Sequence, residues 1–333
     1  MQIVNDYPLS KITTLGIGGP AKSFATIHSE EELIEAIKYA KDNNLEFLVI
    51  GGGSNLLVSD KGVNKLIIKN DIKGIDVIPA KAGIHLKVKS GTTLQDLVDY
   101  SISHGLSGLQ KMTGIPGTVG GAVYGNAGAY GQTISDHISS VIILNSSVIL
   151  SGRESSGLSR KDIINLSKKE CDFGYRDSAF KKNHYTILEV TFLLETKNAI
   201  AQNVSHLLQQ EADEVLEKRL IKYPKGIKCP GSFFKNIVAS TLPKEILSKI
   251  PPEGIMYGKL PAGYLLEQVG AKGDSLDGIE IANYHANLFV NKDQGTAEAF
   301  YNLAKKYFIK VYEKYGIKLE PEVQLLNLPS LEV

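Results

Sequence analysis

The sequence has little of what would place the protein in a membrane, outside the cell or around a metal ion. No apolar run approaches membrane-spanning length, and residues 1–8 contain neither the basic nor the apolar region of a signal peptide. The only cysteines, Cys171 and Cys229, form no metal-ligand spacing and no disulfide framework, and such a pair fits a reducing compartment. We therefore expect a cytoplasmic protein without a bound metal.

The chain also lacks an excess of charge of either sign, because its 37 basic and 36 acidic residues nearly cancel. The net charge of +1 gives no general case for binding nucleic acid or an acidic membrane. Only four of the 37 basic residues are arginine, namely Arg153, Arg160, Arg176 and Arg219. In a chain that otherwise uses lysine, an arginine can mark a position where a planar, bidentate group is needed.

Several familiar catalytic motifs are missing. No G-x-S-x-G nucleophile motif and no H-E-x-x-H zinc motif occur, and the seven histidines stand apart. The G-x-G-x-x-G dinucleotide fingerprint is absent too. These absences argue against a Ser-His-Asp hydrolase, a zinc protease and a Rossmann dehydrogenase.

The pattern along the 333 residues predicts an α+β chain of several domains, since one hydrophobic core rarely organises this length. A strand at 21–28, a helix from Ser29 to Asn44 and strands at 47–50 and 65–69 give a first unit of β-α-β character. Short strands and turns then alternate with a helix at 93–104, and further helices are expected near 197–220, 243–249, 261–269 and 295–315. Further strands are expected at 140–150, 186–195, 278–282, 287–291 and 319–326. The predicted domains are 1–69, 70–197 and 198–333.

Two glycine-rich segments stand out. The first, Gly51–Asn55, follows a hydrophobic strand, and the second, Gly114–Gly131, has seven glycines in 18 residues and almost no charge. Glycine lets backbone N–H groups approach a phosphate, whereas a tight turn or a strained structural loop is the alternative. Together the segments favour a bound nucleotide cofactor. The candidate contacts are Gly51, Gly52, Gly53, Ser54, Asn55, Gly117, Thr118, Gly120, Gly121, Asn126 and Gly128.

Three later segments combine polar and apolar residues. Arg176 stands beside Tyr175 and is a candidate anion clamp, with a surface ion pair as the alternative. Ser232 follows a glycine and precedes two phenylalanines, and its spacing alone favours a turn or helix cap. Glu322 alternates with apolar residues; buried there, its carboxyl would have a raised pKa, and facing solvent it would be an ordinary strand charge. These residues indicate a polar pocket without naming a reaction.

In their order and separation, the segments resemble the UDP-N-acetylenolpyruvoylglucosamine reductase (MurB) family of peptidoglycan synthesis, over nearly the whole chain. The resemblance is carried by the motifs at 13–19, 51–55, 114–117, 126–131, 175–178, 231–236, 261–267, 285–287 and 319–323. It implies an FAD-binding fold of the vanillyl-alcohol-oxidase type in two units, closed by a C-terminal α+β substrate-binding domain. The segment after Arg176 is short, which is similar to the class that lacks an extra tyrosine-bearing loop.

The resemblance also implies residue roles. Arg176, Ser232 and Glu322 match the catalytic set, and Tyr175, Lys222, Asn236 and His285 match substrate-binding positions, whereas Tyr257 is only a possible contact. The implied cofactors are non-covalent FAD and NADPH. The implied reaction passes a hydride from NADPH through flavin N5 to the methylene carbon of an enolpyruvyl ether, and Ser232 then donates a proton. Arg176 and a protonated Glu322 would stabilise the intervening negative charge.

Two other functions stay open at this point. One is a flavoenzyme of the same fold that oxidises alcohols, although many of those attach FAD through a His or Cys and neither glycine segment contains a histidine. The other is a non-catalytic flavin-binding protein, against which Arg176, Ser232 and Glu322 argue jointly. The expected partner is a UDP-sugar, with no nucleic acid, membrane or obligate protein partner.

Overall fold

The computed structural model describes residues 1–79, 83–146, 162–183, 185–196 and 203–332. Arg153, Arg160, the end of the strand predicted at 140–150 and the start of the helix predicted at 197 lie outside these ranges. The strands are β1 (Val4–Pro8), β2 (Pro20–Ile27), β3 (Glu46–Ile50), β4 (Leu56–Val58), β5 (Val63–Asn70), β6 (Ile75–Pro79), β7 (Ile84–Lys89), β8 (Leu106–Ser107), β9 (Gly128–Ala129), β10 (Gln132–Thr133), β11 (Ile138–Asn145), β12 (Ile163–Ser167), β13 (Tyr185–Thr196), β14 (Ile237–Val238), β15 (Lys259–Leu260), β16 (Ser275–Leu276), β17 (Ile279–Ile281), β18 (Phe289–Asn291) and β19 (Gln324–Leu326). The helices are α1 (Glu30–Asp42), α2 (Leu94–Ser103), α3 (Val119–Tyr124), α4 (Ala179–Lys182), α5 (Val204–Lys222), α6 (Lys244–Leu247), α7 (Ala262–Gln268) and α8 (Ala297–Tyr315).

The chain divides into two compact units, each assembled from separate stretches of sequence. The first unit comprises 1–5, 23–52 and 64–221, and the second comprises 6–22, 53–63 and 222–333. The division into three domains at 1–69, 70–197 and 198–333 stays a prediction.

The first unit begins with the β-α-β arrangement that the sequence predicts. Strands β1, β2, β5 and β3 form a sheet in that order, with β3 and β5 parallel. Helix α1 begins at its Ser29 cap, whose hydroxyl accepts the N–H of Glu32 at 3.2 Å. Its buried face, including Leu33 and Ile37, shares a hydrophobic core with residues of β2 and β5.

A six-stranded sheet forms the rest of the first unit. Its order is β12-β11-β13-β7-β6, with β8 also on β13, and its pairs are antiparallel. Helix α2 packs Leu97 and Val98 into a core with Leu86 of β7 and Phe192 of β13. The short helix α3 shares this core, so the glycine-rich segment that contains it is anchored on packed structure.

The second unit is built around aromatic side chains. Phe233, Phe289 and Phe300 pack with ring centroids 5.1–5.5 Å apart, at distances where tilted aromatic pairs are favourable. Helix α8 supplies much of the remaining core, and it ends at Gly316, whose φ of +70° fits the left-handed C-terminal cap. Strand β19 pairs in parallel with β4.

The predicted elements are largely confirmed, with three corrections. The strand expected at 319–326 is regular only over Gln324–Leu326, because Pro321 has no N–H to donate and residues before β19 pair only through an isolated bridge. Helix α3 was not predicted inside the glycine-rich segment. On α5, helical periodicity predicts an apolar stripe that includes both Leu207 and Leu208, but Leu207 is 48% exposed, whereas Leu208 is fully buried.

The structure also bears on membrane insertion and metal binding. Among the described residues, no helix has the length and apolar character needed to span a bilayer. Within the same ranges, no group of three or more His, Cys, Asp and Glu side chains could hold a metal ion.

Candidate functional site

The two glycine segments meet within the first unit. A Cβ on Gly51 would lie 2.2 Å from Thr118 Oγ1, and one on Gly52 would lie 2.9 Å from Gly117 Cα. Distances below 3 Å do not occur for real Cβ atoms without displacement of the neighbour, so both positions require glycine. The pairing of two segments about 65 residues apart therefore brings bare backbone together, as the cofactor hypothesis requires.

Helix α3 fixes the second glycine segment. Thr118 Oγ1 accepts the N–H of Gly121 at 3.3 Å and caps the helix. Gly120 donates its N–H to Ser90 O at 2.8 Å, and its Cβ would meet Ser90 Cβ at 2.9 Å. Gly121 differs, because it is exposed and an added Cβ would have only an ordinary contact at 3.6 Å. Packing among the described residues therefore does not require glycine at this position.

Asn126 presents a buried polar atom to this segment. Its φ is +42°, its exposed fraction is 5%, and its Nδ2 donates to Gly174 O at 2.8 Å. Its Oδ1 has no hydrogen-bond partner among the described residues. A buried amide oxygen left unpaired costs about 1–3 kcal/mol, and a ligand donor would remove this cost. Together with the glycine-lined backbone, this atom fits a site for FAD.

Arg176 forms hydrogen bonds with the same segment. Its Nη2 donates to Gly128 O at 2.9 Å, and its Nη1 lies 3.5 Å from Asn126 O. Its guanidinium carbon is 5.5 Å from the centroid of the Tyr175 ring, and its φ of +55° marks a strained turn. Both arms of the fork are therefore used to orient the side chain, which a lysine could not reproduce.

The remaining residues of the first glycine segment, Gly53, Ser54 and Asn55, belong to the second unit. Gly53 has a φ of +64°, and a Cβ there would lie 2.1 Å from Ile12 O. Asn55 donates its Nδ2 to Glu322 O at 3.0 Å and accepts the N–H of Gln324 at 3.0 Å. Asn55 thus holds the backbone that carries Glu322.

Ser232 and Glu322 lie on neighbouring extended segments within the second unit. The N–H of Glu322 donates to Phe233 O at 2.7 Å, and Ser232 forms an isolated bridge with Leu288. Asn287 fixes this arrangement: its Oδ1 accepts the N–H of Phe234 at 2.9 Å, and its Nδ2 donates to Phe234 O at 2.8 Å. Both Ser232 and Glu322 are half-buried. The alternative of a helix cap for Ser232 is not what the structure has, since no helix begins there.

Tyr223 is a polar contact of Ser232 that the sequence analysis missed. Its hydroxyl lies 3.2 Å from Ser232 Oγ. Nothing in the local pattern signals this contact, because nine residues and an irregular loop separate the two. Its neighbour Lys222 places Nζ 5.2 Å from the centroid of the Tyr223 ring.

His285 is a neutral imidazole. Burial lowers its pKa to about 3, and the positive charges of Lys222 and Lys272 act in the same direction. Its Nδ1 accepts the N–H of Asn287 at 3.1 Å, so the ring proton of the neutral form resides on Nε2. His285 therefore offers a hydrogen-bond donor without a charge.

Asn236, a fourth predicted substrate contact, accepts the N–H of Ala262 at the start of α7 at 3.2 Å.

Neither cysteine is placed for catalysis. Burial raises the pKa of the Cys171 thiol to about 11, and burial also raises the pKa of Cys229. A nucleophilic cysteine needs a lowered pKa. Both residues are buried free thiols.

Comparison with known proteins defines the class and then the family. Residues 21–147 match the FAD binding domain model, and residues 222–326 match the model of the UDP-N-acetylenolpyruvoylglucosamine reductase C-terminal domain. With the glycine-lined backbone of the first unit, these matches define an FAD-dependent oxidoreductase. The chain belongs to the UDP-N-acetylenolpyruvoylglucosamine reductase family.

The relatives that show this membership cover almost the whole chain. The reductase of Solibacter usitatus is 37% identical over 96% of this chain and 95% of its own length. Reductase 2 of Bacillus cereus is 32% identical over 98% of this chain and 93% of its own length. The crystal structure of the Thermus caldophilus enzyme superposes with a TM-score of 0.71 at 27% identity, covering 98% of both chains. The predicted α+β class with an FAD-binding fold and a C-terminal domain is confirmed.

Gly121 offers a test of cofactor placement that leaves the packing of the chain intact. Gly121→Asp places a carboxylate in the first turn of α3, where negative charge favours the helix. If the FAD pyrophosphate lies there, repulsion should weaken FAD binding by roughly 10-fold or more, equal to about 1.4 kcal/mol. Flavin absorbance per mole of purified protein and titration of the apoprotein measure the loss.

Gly121→Ala is the matched control and should keep most of its flavin. Far-UV circular dichroism of both apoproteins should resemble that of the native chain. Full flavin content in Gly121→Asp would show that the pyrophosphate lies elsewhere.

Proposed function

We propose that the chain catalyses the NADPH-dependent reduction of UDP-N-acetylglucosamine enolpyruvate to UDP-N-acetylmuramate through bound FAD. The observation that carries this proposal is the pairing of the Ser232 and Glu322 segments, in which the Glu322 N–H binds Phe233 O at 2.7 Å. This pairing holds a hydroxyl and a carboxyl on adjacent backbone segments. Such an arrangement suits a reaction that needs both a proton donor and the stabilisation of negative charge. The relatives described above are UDP-N-acetylenolpyruvoylglucosamine reductases, and this supports the same reaction.

The cofactor would be held by the two glycine segments, with the Asn126 amide oxygen accepting a hydrogen bond. When bound, FAD would supply the redox chemistry of the reaction, with NADPH as the source of the hydride. The protein itself contributes binding, orientation and electrostatics.

Arg176 and Glu322 are assigned to the negative charge that develops on the enolpyruvyl carbon and its carboxylate. A guanidinium whose two arms already bind carbonyl groups needs no reorganisation during the reaction, and preorganised charge is the most effective kind. Ser232 donates the proton that completes the lactyl ether.

The substrate contacts are assigned to Tyr175, Lys222, Asn236 and His285. Lys222 supplies a positive charge suited to the diphosphate, and the neutral His285 supplies its Nε2–H as a donor. The short segment after Arg176 indicates that these residues act without an extra tyrosine-bearing loop.

The proposed biological setting is peptidoglycan precursor synthesis in the cytoplasm, because its reactants, NADPH and a nucleotide sugar, are cytoplasmic metabolites. Through the cell wall, the activity would contribute to cell shape, growth and division.

The direct test of this function uses the purified native protein. It should carry non-covalent FAD, NADPH should bleach the flavin, and the UDP-enolpyruvyl sugar should restore the absorbance under anaerobic conditions. Bleaching of the flavin by an alcohol, with no reoxidation by the enolpyruvyl sugar, would support an oxidase of the same fold instead.

Arg176→Lys should separate the two halves of the cycle. The lysine keeps the positive charge, but its single ammonium group cannot bind both Asn126 O and Gly128 O as the guanidinium does. We expect flavin content and bleaching by NADPH close to native, with reoxidation slowed by roughly 10²-fold or more. Reoxidation at a near-native rate would show that Arg176 contributes only its positive charge.

Ser232→Ala tests the proton donor in the same way. Bleaching by NADPH needs no such donor and should proceed at the native rate, whereas reoxidation should slow by roughly 10²–10⁴-fold. Ser232→Cys keeps a donor of similar size and should recover part of the loss. Stopped-flow absorbance measures both steps, and equal slowing of both steps, or of neither, would remove Ser232 from the mechanism.

A further inference from the structure

The phenol of Tyr223 lies beside the hydroxyl to which the proton donation is assigned. The distance between Tyr223 Oη and Ser232 Oγ is 3.2 Å, within hydrogen-bond range. Tyr223 directly follows α5 and is half-buried, with its ring against a small cluster that includes Cys229 and Leu288. The ring is thus fixed by packing while part of the residue is in contact with solvent.

A serine hydroxyl faces a chemical difficulty as a proton donor. Once it gives up its proton it is an alkoxide, a far stronger base than the phenolate of tyrosine, whose reference pKa is about 10. A half-buried alkoxide is a high-energy species, and the serine hydroxyl must regain a proton before the next turnover. A phenol at hydrogen-bond distance removes this difficulty because proton transfer from phenol to alkoxide is strongly downhill.

We propose that Tyr223 is a positioning residue that orients the Ser232 hydroxyl and returns its proton during turnover. The inference rests on the proposed function and extends it to a residue outside the catalytic set of Arg176, Ser232 and Glu322.

The proton transfers balance in three steps. The Ser232 O–H bond breaks as a C–H bond forms on the substrate carbon that carries the negative charge. The Tyr223 O–H bond then breaks as the Ser232 O–H bond re-forms, which leaves a tyrosine phenolate. Finally the phenolate takes a proton from water, and the net proton consumed comes from solvent.

The surroundings of Tyr223 favour this sequence. The Lys222 ammonium, 5.2 Å from the ring centroid, is a positive charge that stabilises the transient phenolate. The neighbouring Cys229 thiol and Tyr284 phenol both have a raised pKa, chiefly through burial, and so stay neutral. His285 is neutral as well. Glu280 is an acidic group that acts electrostatically on Tyr284.

Tyr223→Phe distinguishes this role from simple packing, because phenylalanine keeps the ring and its contact with Lys222 and removes only the hydroxyl. We expect NADPH to bleach the flavin at the native rate. Reoxidation at saturating substrate should slow by roughly 10-fold or more, less than for loss of Ser232 itself because water can partly replace the phenol. The half-saturating substrate concentration and the thermal unfolding midpoint should not change.

Tyr284→Phe is the matched control, since it removes the phenolic hydroxyl of the neighbouring tyrosine that Tyr223 influences electrostatically. Its reoxidation rate should stay within about 2-fold of native, well below the effect of losing a positioned acid. An effect as large as that of Tyr223→Phe would show that the proton source is not specific to Tyr223 and would overturn the proposal.

The double variant Tyr223→Phe/Ser232→Ala gives the sharpest outcome. If Tyr223 acts only through Ser232, the double variant should reoxidise no more slowly than Ser232→Ala alone. Multiplicative effects, native reoxidation in Tyr223→Phe, or equal slowing of both half-reactions with a lowered unfolding midpoint would each overturn the proposal. Failure of the enolpyruvyl sugar to reoxidise the native protein would instead overturn the proposed function.

Discussion

The segment from Ser232 to Asn236 is held on both sides by hydrogen bonds to its backbone. The chemistry assigned to the second unit depends on this restraint of the backbone. On one side the Asn287 side chain binds both the N–H and the C=O of Phe234, and Asn287 O accepts the N–H of Phe233 at 3.0 Å. On the other side Phe233 O accepts the N–H of Glu322. Asn287 is 2% exposed, so losing its amide would leave buried peptide groups unpaired, at a cost of about 1–3 kcal/mol for each group. This constraint leaves Ser232 and Glu322 little freedom of backbone position.

In the first unit, glycine residues allow two backbone segments to lie unusually close together. Gly52 against Gly117, and Gly51 against Thr118, approach more closely than any residue with a Cβ would permit. The cap of Thr118 on α3 and the bond from Gly120 to Ser90 hold this region on the six-stranded sheet. A segment with so many glycines would otherwise be costly to order, because glycine loses more conformational entropy on folding than other residues. Arg176 adds a further restraint through Asn126 and Gly128.

Two titratable side chains of the second unit are kept neutral by burial. Burial holds His285 and Cys229 in their uncharged forms, and Lys222 supplies a nearby positive charge. An arrangement of this kind combines an uncharged hydrogen-bond donor with a positive charge, which is suited to an anionic ligand. It also gives the Tyr223–Ser232 pair surroundings in which a transient negative charge on oxygen is stabilised.

The sequence by itself determined the elements whose signals are local. Hydrophobic periodicity and the Ser29 cap located α1, the alternation of strands and helices gave the α+β class, and the motifs around Arg176, Ser232 and Glu322 indicated the family. Tertiary structure alone decided which segments meet. It brought Gly52 against Gly117 and the Tyr223 hydroxyl to Ser232, formed α3 within a glycine-rich stretch, and exposed Leu207 while burying Leu208. These outcomes depend on contacts between residues far apart in the chain or on the packing of a neighbouring element, and neither leaves a periodic pattern or a cap in the sequence.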